Sequence, residues 1–147
     1  MNTSEINDIL YNHPDTQSLY LGTYPVDQLP EKPTSGKFAI TINYDESSLP
    51  GSHWVSIYRD DDTHFHDSLG FGPLKPQIIE FLEPDEFSVT GKQLQSKTSD
   101  VCGDHAIAFL IKRAQGFSTE EYLDNFGDDK KVNDTIVRAF VKSLISE

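Results

Sequence analysis

Apolar positions change their period along this chain, and the change divides it into a sheet-forming part and a helical part. Ile6, Ile9 and Leu10 recur at helical spacing behind Ser/Thr capping candidates, which predicts a short helix over residues 4–11 stopped before Pro14. A loop with Pro25, Pro30 and Pro33 follows. The run Phe38-Ala39-Ile40-Thr41-Ile42-Asn43-Tyr44 is β-branched and aromatic, lies between Gly36 and a turn-rich stretch over 45–52, and predicts a strand. Residues 53–59 predict the next strand. The acidic Asp60-Asp61-Asp62 turn then returns the chain through His64-Phe65-His66-Asp67, so an antiparallel hairpin is expected.

Beyond the hairpin the pattern becomes helical. Leu74, Ile78, Ile79 and Leu82 predict a helix, while Phe87-Ser88-Val89-Thr90 and Leu94-Gln95 read as short strand segments. From Cys102, the residues Ala106, Phe109, Leu110 and Arg113 share one helical face, with Gly116 as a C-terminal stop. Ser118-Thr119-Glu120-Glu121 can cap a further helix, and Val132, Ile136, Phe140 and Leu144 form an apolar stripe along a last one. No repeat or linker interrupts the pattern. The expected fold class is α+β: a mainly antiparallel central sheet packed by helices, in a single domain over residues 1–147, with Cys102 at the N-terminus of a buried helix.

Composition adjusts this picture in two ways. A chain of 147 residues can bury about two thirds of its unfolded surface without staples. It has no apolar run near the roughly 20 residues of a membrane span, and Met1-Asn2-Thr3-Ser4-Glu5 has no secretory character, so a soluble protein of a reducing compartment or a particle interior is expected. Twenty-four acidic residues against 12 basic ones give a net charge of −12, which repels phosphate backbones and argues against nucleic-acid partners. The clusters at 60–62, 83–86 and 128–129 read as solvated loops or helix starts, without the ligand spacing of an EF-hand.

The chain has one cysteine, Cys102, so no internal disulfide can form. At a helix start, unpaired backbone N–H groups and the positive end of the helix dipole favour a sulfur anion. A cysteine nucleophile also needs a base, a group to orient that base, and donors for the oxyanion. His53 opens one hairpin strand and Asp67 ends the other, so an Nδ1–H to carboxylate bond between them is reasonable, with the second ring nitrogen facing the thiol; Gln95 precedes Cys102 by seven residues. His13 reads as solvent-exposed and His105 as a packing or helix-surface residue. His64 and His66 share one strand face and could chelate zinc, but no third and fourth ligand stand at recognisable spacing. No metal and no cofactor are expected.

The order His53-Trp54, Asp67, Gln95, Cys102-Gly103 resembles the adenovirus maturation protease family, adenain and its relatives, and more distantly the SUMO-specific proteases. Tyr20-Leu21-Gly22-Thr23-Tyr24 is similar to that family's Phe-Leu-Gly-Thr-aromatic stretch, and Asp67-Ser68-Leu69-Gly70-Phe71-Gly72 to its acidic-residue, Pro-Phe-Gly-Phe stretch. The resemblance implies Cys102 as nucleophile, His53 as general base, Asp67 as orienting carboxylate and Gln95 as oxyanion donor, with Trp54 and Gly103 binding substrate. It implies cleavage after Gly in Gly-Gly or Gly-X-Gly motifs of viral precursor proteins, within the virion and the host cell. Adenovirus enzymes are longer and are stimulated by DNA and by a disulfide-linked peptide. With no second cysteine here, any activating peptide must bind noncovalently, and the acidic charge disfavours DNA. A SUMO or ubiquitin-like deconjugase and a noncatalytic capsid-associated module are the alternatives.

Overall fold

The computed structural model describes residues 1–46 and 53–145; most of the turn expected over 45–52 lies outside the described residues. Five strands form one sheet in sequence order: β1 (Tyr20–Pro25), β2 (Phe38–Asn43), β3 (Trp54–Arg59), β4 (Thr63–His66) and β5 (Phe87–Val89). The centre is antiparallel, with Ile40 opposite Ile57 and Ile57 opposite Phe65, as the hairpin pattern predicts. Both outer strands are parallel to their neighbours. Helices α1 (Thr3–Asn12), α3 (Cys102–Ala114), α4 (Thr119–Leu123) and α5 (Lys130–Ile145) pack on one face of the sheet, and α2 (Pro76–Leu82) packs on the other.

Strand alternation sorts the core. Trp54 and Tyr58 join Ile6, Leu10, Ile107 and Leu110 on the α3 face, while Val55 and Ile57 join Phe38, Ile40, Phe65, Ile78 and Leu82 on the α2 face. Because α3 lies between the sheet, α1 and α5, residues from Cys102 to Ile111 are buried on nearly every side of it.

Several expectations are corrected. β1 replaces part of the predicted loop: its register with β2 shifts between Tyr20 and Thr23, where Gly22 adopts φ 132°, and this irregularity hides the strand period. A Cβ at Gly22 would also come 2.9 Å from the Tyr11 hydroxyl oxygen. Leu94 and Gln95 form no strand; both their N–H groups donate to the Ser68 carbonyl, at 2.8 and 3.0 Å, a convergence that a ladder does not make. Asn2, rather than Ser or Thr, caps α1 in a reciprocal box with Glu5. α2 begins at Pro76, leaving Leu74 exposed, and buries Ile78, Phe81 and Leu82. The stripe on α5 holds in its second half, where Phe140 and Leu144 pack against the core, but not in its first: Val132 and Ile136 are exposed, whereas Asn133, Asp134, Val137 and Val141 are buried.

Two of the acidic clusters do more than meet solvent. Asp60 pairs with Arg113 of α3 at 2.9 Å, and Asp85 with Arg59 of β3 at 3.0 Å, so each ties a loop to the packed layers.

Candidate active site

The hairpin brings His53 and Asp67 together. His53 stands just before β3, where its carbonyl accepts from Tyr44 N at 2.9 Å, and Asp67 follows the last residue of β4. His53 Nε2 lies 2.9 Å from Asp67 Oδ1, so the far ring nitrogen meets the carboxylate and Nδ1 remains for the thiol. This reverses the nitrogens expected from the sequence. Ser56 pairs with His66, so His53 sits two positions beyond the residue opposite Asp67, and such a diagonal, about 7–8 Å between backbones, suits the longer reach of Nε2.

Asp67 is fully buried in a turn. Its Oδ1 also accepts from Leu69 N at 2.9 Å, and its carbonyl accepts from Gly70 N at 2.9 Å. Gly70 is held at φ 90° with a hypothetical Cβ only 2.8 Å from Gln93 N, so this turn requires glycine. Asp67 Oδ2 is buried with no hydrogen-bond partner among the described residues, where His53 and Leu69 N compensate the carboxylate through Oδ1.

His53 also shares a hydrogen bond with the Cys102 side chain. Burial pushes the imidazole pKa down, but the bonds to Asp67 and Cys102 and the charges of both outweigh it, and the pKa rises from 6.5 to about 9. At neutral pH the ring is therefore an imidazolium. Tyr44 packs edge-on against it with ring centroids 5.2 Å apart; burial raises the Tyr44 hydroxyl pKa to about 12, so that neighbour stays neutral.

Cys102 is the first residue of α3 and is 6% exposed, which places its sulfur at the positive end of a 13-residue helix. Gly103 packs beside Trp54: a Cβ there would lie 3.4 Å from Trp54 Cδ1 and 3.2 Å from Met1 Cβ. Trp54 itself is largely buried and donates from Nε1 to the Met1 carbonyl at 3.2 Å. Gln95 is buried in the segment leading to α3. Its Oε1 accepts from Ser68 Oγ at 2.6 Å, and its Nε2 donates to the Ser99 carbonyl at 3.2 Å and to Ser99 Oγ at 3.1 Å.

The sequence reading missed the residues that hold this segment. Asn133 Nδ2 donates to the Leu94 carbonyl at 3.1 Å, and Asp134 Oδ2 accepts from Ser96 N at 3.3 Å, so α5 grips the chain on both sides of Gln95. Asp134 Oδ1 meets His105 Nε2 at 2.9 Å, which gives the fully buried His105 a partner on α5. Two polar residues in succession near a helix start were the available signal. His64 and His66 point to the α3 face, where His66 stacks on Phe109 at 4.4 Å and both rings bond Thr90 Oγ1. His13 is half-buried rather than exposed, its Nδ1 accepting from Asp15 N.

No family model and no curated protein sequence matches this chain. Solved structures share its fold. The ASFV pS273R protease superposes with a TM-score of 0.51 at 19% identity, covering 69% of this chain and 43% of that one. SUMO protease Ulp1 matches with a TM-score of 0.51 at 12% identity over 99% of this chain and 79% of its own. The chain shares the fold of SUMO protease Ulp1 and of the ASFV pS273R protease. An uncharacterized central domain, from Lpg1148 of Legionella pneumophila, matches with a TM-score of 0.52 at 11% identity over 98% of both chains. This chain spans less than half of the ASFV protease. These likenesses carry the fold and do not single out the adenovirus branch suggested by the motifs.

Proposed function

We propose that this protein is a cysteine endopeptidase. One observation carries the reading: the hydrogen-bonded series from Asp67 through His53 to Cys102, with the sulfur at a helix N-terminus. In the proposed reaction the sulfur, its proton already held on His53 Nδ1, attacks the scissile carbonyl carbon to form a C–S bond as the carbonyl π pair moves onto oxygen. The oxyanion is met by Gln95 Nε2 and the Cys102 backbone N–H. His53 returns its proton to the departing amine, and water then hydrolyses the thioester with His53 as base.

The substrate class follows from the sequence motifs. In this reading Trp54 and Gly103, which pack against each other, would bind the substrate next to Cys102, and the motifs favour glycine on the acyl side, in Gly-Gly or Gly-X-Gly sites of viral precursor proteins cleaved within the virion or host cell. A noncovalently bound activating peptide fits a chain with one cysteine. A second reading, deconjugation of a SUMO or ubiquitin-like protein, draws support from the superposition of SUMO protease Ulp1 over 99% of this chain.

The test is alkylation of Cys102 by iodoacetamide at pH 6.5 in wild type and His53→Ala. A free thiol with a pKa of about 8.5 is only about 1% thiolate at that pH, so labelling should fall by up to about 100-fold in the variant. Slow wild-type labelling that ignores His53 would reject the peptidase. If labelling is fast, hydrolysis of short Gly-Gly peptides against fusions carrying a folded ubiquitin-like domain separates the two substrate classes.

A further inference from the structure

A glutamine amide is planar and carries unlike ends, and a half-turn about its last bond exchanges the acceptor and the donor. Only the NH₂ end can stabilise an oxyanion, so the proposed role of Gln95 depends on which way the amide faces. Its orientation is defined from two sides. Ser99 O can only accept, so it must meet Nε2; the Ser99 hydroxyl gives its own proton to the Ser96 carbonyl at 3.1 Å and is left as a second acceptor. On the opposite side Ser68 Oγ donates to Oε1 at 2.6 Å, the shortest of the contacts on this amide.

Ser68 holds more than the side chain. It is 1% exposed, and its carbonyl receives Leu94 N at 2.8 Å and Gln95 N at 3.0 Å, so one residue fixes both the backbone entering Gln95 and the amide at its tip. It also follows Asp67 directly, within the turn that orients His53. We infer that Ser68 is the positioning residue of the oxyanion donor: its hydroxyl holds the Gln95 amide in the flip that the Ser99 carbonyl dictates, and Asp67 and Ser68 together aim the base and the donor from one turn. This rests on the peptidase reading for its consequence, though not for its geometry. Without the hydroxyl, Oε1 is buried with no donor and the longer contacts with Ser99 are left to hold the amide.

The experiment compares Ser68→Ala, Gln95→Ala and the double variant. Loss of an oxyanion donor costs about 100–1,000-fold in turnover, and misaiming one should cost Ser68→Ala about tenfold in kcat with KM within twofold. Iodoacetamide labelling, which forms no oxyanion, should be unchanged. In the Gln95→Ala background the serine substitution should add less than twofold, because its effect runs through the missing amide. A full tenfold loss in that background, or an equal fall in labelling, would overturn the inference. The side-chain NH₂ resonances of Gln95, assigned by their disappearance in Gln95→Ala, supply a readout independent of activity. In wild type they should contact Ser99 and not Ser68; NH₂ protons facing Ser68 would refute the assignment even in a protein that cleaves nothing, while slow, His53-independent labelling would sink the peptidase reading alone.

Discussion

His53 shows how much a single bond decides. The ring carries a proton up to about pH 9 because Asp67 and Cys102 outweigh its burial, so hydrolysis, which needs the imidazolium to protonate the leaving amine, should decline as pH rises through about 9. Asp67→Asn removes the negative charge while keeping the shape; the alkaline limb should move to lower pH, and labelling at pH 6.5 should slow by at least about tenfold. An unchanged pH–rate profile in that variant would separate Asp67 from the base. The identities of these residues were readable in order and spacing, since few residue types can serve as nucleophile, base and orienting acid. Which ring nitrogen meets the carboxylate was not, because it depends on a diagonal offset in the hairpin register. Ser68 was invisible for another reason: a serine after an acidic residue has no signature until Gln95 is folded against it.

At the scale of elements, α5 departs most from its sequence pattern. An apolar stripe through Val132 and Ile136 would turn Asn133 outward, yet the helix rotates to bury Asn133 and Asp134, because Leu94 O, Ser96 N and His105 each need a partner there. Asn133 also bonds both the N–H and the carbonyl of Gly127, so it joins three segments. Asn133→Ala strands at least one buried carbonyl and should lower unfolding free energy by about 1–3 kcal/mol, measured by urea denaturation. A variant as stable as wild type would show that water replaces the amide without cost. Helices α1 and α3 were legible from their period and α4 from its Ser118 cap, whereas the cap of α1 fell on Asn2 instead of Ser or Thr; β1 was not legible, because Gly22 breaks its alternation where the strand must bulge.

Across the whole molecule, two groups of histidines pull stability in opposite directions. His53 has a raised pKa, so its contribution is complete below 6.5 and fades as pH rises through about 9. The buried rings behave oppositely. Burial, then Arg113, lowers His64 to about 4 against the pull of Glu120; burial, then His105 and His64, lowers His66; burial lowers His105 despite Asp134. An unfolded chain would protonate all three below about 6.5, so stability should fall from there toward pH 4. Thermal melting between pH 4 and 9.5 should therefore show a maximum near 6.5, and a steady rise from pH 6 to 9 would contradict this assignment. At this scale the antiparallel centre of the sheet was legible and its parallel edges were not, because a crossover connection leaves no period to read. The grip of α5 on Leu94 and Ser96 also separates two properties of the site. The residues of α5 that hold Leu94 and Ser96 bond the segment carrying Gln95 and not the thiol or the imidazole directly. Turnover should depend on that grip more than thiol reactivity does: Asn133→Ala combined with Asp134→Ala should lose turnover while Cys102 still labels, and full turnover in that variant would show that the donor is secured without α5. Reactivity at the sulfur and turnover would in this way answer to different elements of one fold.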